Sequence, residues 1–416
     1  MDFTNFCLLS VVVKEKKQMF SGTRYASRFM SRGCGSMSKY SNKDLLTKSI
    51  LKDNSTPTQA NIEGNLPLWL SGELLRTGPA VFEVGKDQMR HFFDGYAMLL
   101  RFTIKEGNVT YQSRFLNSDA YTKAFKQNRI VCSEFGTVSY PDPCKNIFHR
   151  FMSKFTVEEM SDNGNVNILP IADELYASSE TQNLCKLDLE TLKSTEKVNL
   201  YSRNNIAVHT QTAHPHIEAD GTVYNLGTAF SGRSCYKIVQ FDPSNGFEGK
   251  HPSHTMQLHS TTVGTEPDTD LVLPTGTSCR AVLKSDGCVH CYSEVLLDTG
   301  IELPRINYKE YNGKPYRYAY GISKGFGELL KLDVEDRTAV SWSEEGCFTA
   351  EPVFVPKPGA NDEDDGVVLS TVLDVREGKL PYLLILDGKT FKEICRAVVP
   401  AEKWCLSLHG LFVSKF

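Results

Sequence analysis

Lys331-Leu332-Asp333-Val334 and Ile385-Leu386-Asp387-Gly388 decide the fold. Each is an apolar run that ends in Asp at a turn. The same element stands at Lys186-Leu187-Asp188-Leu189-Glu190-Thr191 and at Gln240-Phe241-Asp242-Pro243. Asp188 and Asp242 are 54 residues apart, as are Asp333 and Asp387, whereas the step from Asp242 to Asp333 is 91. The period therefore breaks in the middle of the chain. From Leu66 onward, β-branched and aromatic runs of about 4–8 residues alternate with Gly, Asp and Asn turns, which predicts an all-β fold. Hairpins recurring at roughly 50 residues are the signature of a β-propeller, with four unrelated hairpins as the plain alternative.

The rest of the composition narrows the class. A chain of 416 residues has ample length to bury a core. With 23% charged and 40% hydrophobic residues, collagen, coiled coil and bulk disorder are excluded. A formal charge of −4 offers no field to gather nucleic acid, and no nucleic-acid partner is expected. Twelve cysteines without a secretory signal fit a reducing compartment. The lone pair Cys288 and Cys291, with Cys279 upstream, lacks the second pair of a structural zinc site and reads as buried apolar sulfur. No apolar run approaches the ~20 residues that span a bilayer.

Residues 1–60 read as a disordered leader rich in Ser, Thr, Lys and Asn. Between Met19 and Ser41 there is no acidic residue, while Arg24, Arg28, Arg32 and Lys39 supply charge, which also suits a mitochondrial presequence. The folded domain is expected over 61–416. The acidic run Asp362–Asp365 misses calcium-loop spacing and reads as a solvated turn.

Chemistry rests on the ten histidines. There is no G-x-S-x-G, Walker loop, dinucleotide fingerprint or H-E-x-x-H. His214 lies in Thr212-Ala213-His214-Pro215-His216 and His409 in Leu408-His409-Gly410-Leu411-Phe412. Taken alone, a histidine in such a setting more often satisfies a core backbone group than binds a metal.

Together with Pro141-Asp142-Pro143-Cys144-Lys145-Asn146, these two runs resemble the carotenoid cleavage oxygenases, animal branch. Leu75-Arg76-Thr77-Gly78-Pro79 and Phe93-Asp94-Gly95 resemble the opening of that family. Leu303-Pro304-Arg305-Ile306-Asn307-Tyr308, Gly313–Tyr318, Ala350-Glu351-Pro352 and Asp362–Gly366 are most similar to the centrally cleaving β-carotene enzymes. The resemblance implies a seven-bladed propeller with one Fe(2+) per chain on its axis, held by four histidines. It implies oxidative cleavage of a polyene double bond in a carotenoid or apocarotenoid by O2, giving aldehydes or ketones. His214 matches the first ligand and His409 the last; both are candidate catalytic, metal-binding residues. Glu180, Glu294 and Glu351 match the carboxylates that accept the second ring N–H of such ligands, although on residues alone each reads as a solvated strand charge.

The second and third ligands have no counterpart. The chain passes from Tyr236-Lys237-Ile238-Val239 through Gly246–Gly249 to Met256-Gln257-Leu258-His259, as though two to three blades of about 40–50 residues were missing near 246–256. His259 matches a non-ligand position; His251 or His254 as a substitute ligand is the lesser alternative. Halving the ligands predicts weak iron binding and favours an inactive chain over an active one. The rivals are a non-catalytic carotenoid or retinoid binder and a retinoid isomerohydrolase.

Asp142-Pro143 forms a plausible helix start, after which Ile147, Phe148, Phe151, Met152 and Phe155 share one face flanked by Lys145, Arg150 and Lys154. On residues alone a core helix and an interfacial helix are equal readings; the resemblance favours membrane contact. The expected location is cytoplasmic and peripherally membrane-associated, with the mitochondrion as alternative. No obligate protein partner is evident.

Overall fold

The computed structural model of the chain describes residues 46–139, 160–199, 208–229, 235–241, 280–285, 289–292, 295–297, 299–401 and 404–414. At three of its four places the repeated Asp proves to be a turn device; the fourth, Asp242, lies outside the described residues. Asp188 Oδ1 accepts the Thr191 N–H at 2.7 Å and its hydroxyl at 2.9 Å; Asp387 Oδ1 accepts the same two groups of Thr390 at 2.7 and 2.8 Å. Asp333 Oδ1 accepts the Glu335 and Asp336 N–H groups. Four residues past each Asp, Leu192, Arg337 and Phe391 take left-handed φ of 54°, 54° and 58°. A short acceptor side chain that satisfies its own turn is what makes Asp favoured there. Each turn joins two neighbouring antiparallel strands of a sheet: Asn183–Leu187 to Ser194–Asn199, Glu328–Asp333 to Thr338–Trp342, and Tyr382–Asp387 to Glu393–Val398.

Among the described residues, five antiparallel sheets of four or more strands succeed one another along the chain, in the manner of propeller blades. The first contains Gly72–Val81, Tyr96–Lys105 and Asn108–Phe115, and the second runs from Asn167–Ile171 to Ser194–Asn199. The third is built on Val223–Ala229 and Cys235–Phe241. A two-stranded ladder, Arg280–Leu283 with Val289–Tyr292, precedes the fourth, which runs from Glu302–Arg305 to Thr338–Trp342. The fifth is centred on Gly366–Asp374.

The two ends of the chain close the ring. The last strand, Gly410–Ser414, pairs with Gly72–Val81 of the first sheet, and Asn61–Gly64 pairs with Glu393–Val398 of the fifth. Gly410 is required at the seam because a Cβ there would collide with the Leu75 carbonyl. Leu46 is buried in the main core and Ile50 donates to the Ala80 carbonyl at 2.8 Å, so these residues pack on the fold although composition alone put them in the leader. That core joins the first, fourth and fifth sheets around Phe102, Tyr320, Leu369, Leu384 and Trp404.

Three edge strands are interrupted at an X-Pro pair: His214-Pro215 between Thr210–Gln211 and His216–Ile217, Glu351-Pro352 between Cys347–Thr349 and Val353–Pro356, and Leu303-Pro304 at a register shift between Glu302 and Arg305. Proline has no N–H for the ladder and restrains the residue before it, so it is tolerated at edges and bulges, where the strand turns its side chains in a new direction. Elsewhere a buried Lys331 ammonium holds Asp364 at 2.6 Å, and Glu363 accepts the Arg317 and Tyr318 N–H groups. The acidic run is a structural anchor, contrary to the solvated turn expected.

Glu134 meets the Ser161 hydroxyl at 2.6 Å; burial pushes its pKa up to about 8, with Asp94 also raising it against that hydrogen bond. A raised carboxyl contributes stability that is complete below about pH 4.5 and lost as pH rises through about 8. Glu134→Gln is expected to flatten that decline, a difference of about 1–3 kcal/mol between pH 5 and 9 in urea melts. Parallel pH profiles of the two proteins would contradict it.

Candidate metal centre

The interrupted strands place His214 and Glu351 against His409, which directly precedes the closing strand Gly410–Ser414. The His214 and His409 rings lie edge to face with centroids 4.5 Å apart. His409 Nδ1 sits 2.6 Å from Glu351 Oε1, and a ring N–H donated there turns Nε2 away from the carboxylate. His214 is held less tightly. Its Nε2 lies 3.8 Å from Glu180 Oε1, beyond hydrogen-bond range, while that same oxygen accepts the Ala213 N–H at 3.4 Å. Asn167 Nδ2 donates to the Ala213 carbonyl at 2.8 Å, and Asn225 Nδ2 to the Thr212 carbonyl at 3.0 Å, so the backbone break before His214 is satisfied from both sides. Ser370 does the same at the other break, donating to the Ala350 carbonyl at 2.7 Å.

Charge at the centre is dominated by residues that the sequence reading did not assign to the site. Arg76, only 1% exposed, donates from Nε to Ser407 Oγ, from Nη1 to Glu351 Oε2 and from Nη2 to the Leu408 carbonyl, all at 3.1–3.2 Å. Arg305 places Nε 3.8 Å from Glu351 Oε1 and donates from Nη2 to the Gly410 carbonyl at 3.1 Å. Burial by itself would raise the Glu351 pKa; Arg305, His409 and Arg76 outweigh it and hold the carboxylate down at about 2. Burial lowers Arg76 to about 10, still cationic. For His214, desolvation by the surrounding walls comes first and the His409 ring second; together they push its pKa down to about 4. His214, its side chain 43% exposed, is thus a neutral imidazole, the form that binds metal.

One signal could have found Arg76. It stands in the buried strand Gly72–Val81, and a charge in such a strand needs a buried counter-charge. Nothing local marked Arg305. Of the other candidates, Glu294, Ile147, Phe148, Phe151 and Phe155 lie outside the described residues, as do Cys279, Cys288, His251, His254 and His259. His216, beside His214, faces elsewhere and pairs through Nδ1 with the Tyr308 hydroxyl at 3.1 Å, linking the third sheet to the fourth.

The donor set fits a divalent transition metal in kind, with two convergent imidazoles, one oriented by a buried carboxylate. In number it is short. Among the described residues, the one group of three His, Cys or carboxylate donors within 4.8 Å of each other is Glu344, Cys347 and Asp374. There Arg376 pairs with Glu344 and Asp374, and Arg396 with Glu344, so those carboxylates are neutralised by guanidinium groups and make a poor metal site.

The sequence matches the family described as Retinal pigment epithelial membrane protein in two stretches, 48–269 and 253–414. It is 32% identical to the beta,beta-carotene 15,15'-dioxygenase of Mus musculus over 514 aligned positions that take in 87% of this chain and 90% of that protein. It is 31% identical to the mitochondrial carotenoid-cleaving dioxygenase of Mustela putorius furo, over 85% of this chain and 93% of that one. Among solved structures, cobalt-substituted Synechocystis apocarotenoid oxygenase superposes with a TM-score of 0.68 at 19% identity, covering 93% of this chain and 99% of the other. A chimera of that oxygenase gives 0.69 at 21%, covering 91% and 100%. These structural matches establish the propeller fold.

Proposed function

This chain belongs to the retinal pigment epithelial membrane protein family of carotenoid oxygenases, and from that premise we propose that it serves the oxidative cleavage of a polyene double bond in a carotenoid or apocarotenoid. The observation that carries the reading is the pair of imidazoles, His214 and His409, 4.5 Å apart with Glu351 seated on one of them. In this reading both histidines hold iron(II), Glu351 orients His409, and Glu180 stands behind His214. Iron bound there would supply the affinity for O2 and the redox chemistry that imidazole and carboxylate lack. The chain's own residues supply the rest. Glu351 accepts the His409 Nδ1–H and so fixes which nitrogen is presented; His214, kept neutral, presents a lone pair instead of a proton.

A second reading, a carotenoid or retinoid binder without turnover, is favoured by one observation. The alignment with the mouse enzyme runs over 514 positions although this chain has only 416 residues. That excess supports the reading that the relatives carry internal sequence which this chain lacks. The family profile also matches as two stretches that overlap at 253–269, beside the interruption inferred near 246–256. Two ligands of four is the weak-binding arrangement expected from that gap.

Iron content and product analysis of the purified full chain separate the two readings. The oxygenase reading expects iron(II) to be retained only when supplied in excess, and aldehydes to form from β-carotene under O2 in that excess. Carotenoid bound without aldehyde at saturating iron selects the binder, and no carotenoid binding removes both. For location, relatives named as mitochondrial and the acid-free stretch Met19–Ser41 support the mitochondrion beside the cytoplasmic reading. Peripheral membrane contact through Ile147, Phe148, Phe151 and Phe155 is supported by their amphipathic spacing together with the family resemblance.

A further inference from the structure

Two guanidinium groups bracket His409. Arg76 binds the carbonyl of the residue before it, Leu408, and Arg305 binds the carbonyl of the residue after it, Gly410, each at 3.1 Å. The same two groups divide the carboxylate that touches the His409 ring: Arg76 Nη1 takes Oε2 at 3.2 Å, and Arg305 Nε stands 3.8 Å from Oε1. Arg76 also donates to Ser407 Oγ, itself 2.9 Å from Thr371 Oγ1 of the fifth sheet. One histidine thus has its backbone held on both sides by residues from the first and fourth sheets, while its orienting carboxylate is hydrogen-bonded by Arg76 at one oxygen and faces the Arg305 charge, 3.8 Å away, at the other.

We propose that Arg76 and Arg305 form a clamp that positions His409, acting through Glu351 and the two flanking carbonyls, and that the fork shape of guanidinium, as well as its charge, is required. The planar fork is what allows one side chain to hold a carboxylate oxygen and a carbonyl together; an ammonium is a point charge on a flexible stem. Neither arginine reaches the ring itself, so both are positioning residues. The inference rests on the proposed role of His409 as a ligand, but it concerns ring orientation, which exists with or without metal.

Two measurements on the full chain test it. The first is the metal-free histidine ring NMR signal, in which a His409 Nδ1–H bonded to Glu351 gives a protected, downfield proton. The second is the visible spectrum during cobalt(II) titration. Arg305→Lys, at a partly exposed position, and Arg76→Lys are expected to remove the protected proton and to weaken cobalt binding about 10–100-fold, the usual cost of losing an outer partner of a ligand. Glu351→Gln is expected to do the same, and Arg305→Lys added to Glu351→Gln to do no more. A protected proton unchanged in Arg305→Lys overturns the clamp, even if Arg76→Lys fails to fold. If the wild type takes up no cobalt while the proton is present and lost in the lysine variants, the ligand role falls and the clamp stands.

Discussion

Replacing Glu351 with leucine is expected to cost about 3–5 kcal/mol of folding stability, enough to consume much of the margin of an ordinary domain. The reason is what the carboxylate leaves behind. Arg76 is 1% exposed and Glu351 is equally buried, so the variant strands a cation away from water with only a hydroxyl and a carbonyl for company. Removing one partner of such a pair costs far more than the pair is worth. The double variant Arg76→Met with Glu351→Leu should therefore recover most of the loss, because neither charge then remains to be solvated. Guanidinium melts of the three proteins decide it. A loss below about 1 kcal/mol in Glu351→Leu would mean that the ring opens there to admit water.

The second large effect concerns metal. His214→Ala and His409→Ala should each lower iron(II) or cobalt(II) affinity by more than about 100-fold, beyond the cost of removing an outer partner, since each removes half of the convergent imidazoles. His216→Ala is the control two residues away: its ring pairs with Tyr308 instead of facing the centre, so it should leave metal affinity within a few-fold while loosening the contact between the third and fourth sheets. Metal titration by absorbance, with circular dichroism to confirm folding, reads all three. Equal affinity in wild type and both alanine variants would place the metal elsewhere and remove the assignment.

The strands and their turns were legible because their causes are local. Asp188, Asp333 and Asp387 each accept hydrogen bonds from the turn that follows them, a contact within three residues, so the recurrence in sequence mirrors a recurrence in structure. His214-Pro215 and Glu351-Pro352 were legible only through their resemblance to the carotenoid oxygenases; that proline interrupts the ladder at each came from the structure. The site's electrostatics were not legible. Arg76 reaches Glu351 across 275 positions and Leu408 across 332, and Arg305 reaches Gly410 across 105. No pattern of period two or of turn residues encodes such a meeting. The acidic run at 362–365 shows the limit from the other side, since a charge cluster looks solvated until the buried Lys331 that answers Asp364 comes into view.

The amino-acid order by itself determined that this chain is made of short strands with Asp-ended hairpins, and its resemblance to the carotenoid oxygenases marked His214 and His409 as candidate ligands. Only the closing of the ring decided that those histidines face each other, that one is fastened by a carboxylate and the other barely held, and that two arginines govern the carboxylate. Hydrogen-bonded turns and ladder breaks are fixed by neighbours in the chain. A buried charge is tolerable only where its counter-charge arrives in space, and that arrival is settled by tertiary packing.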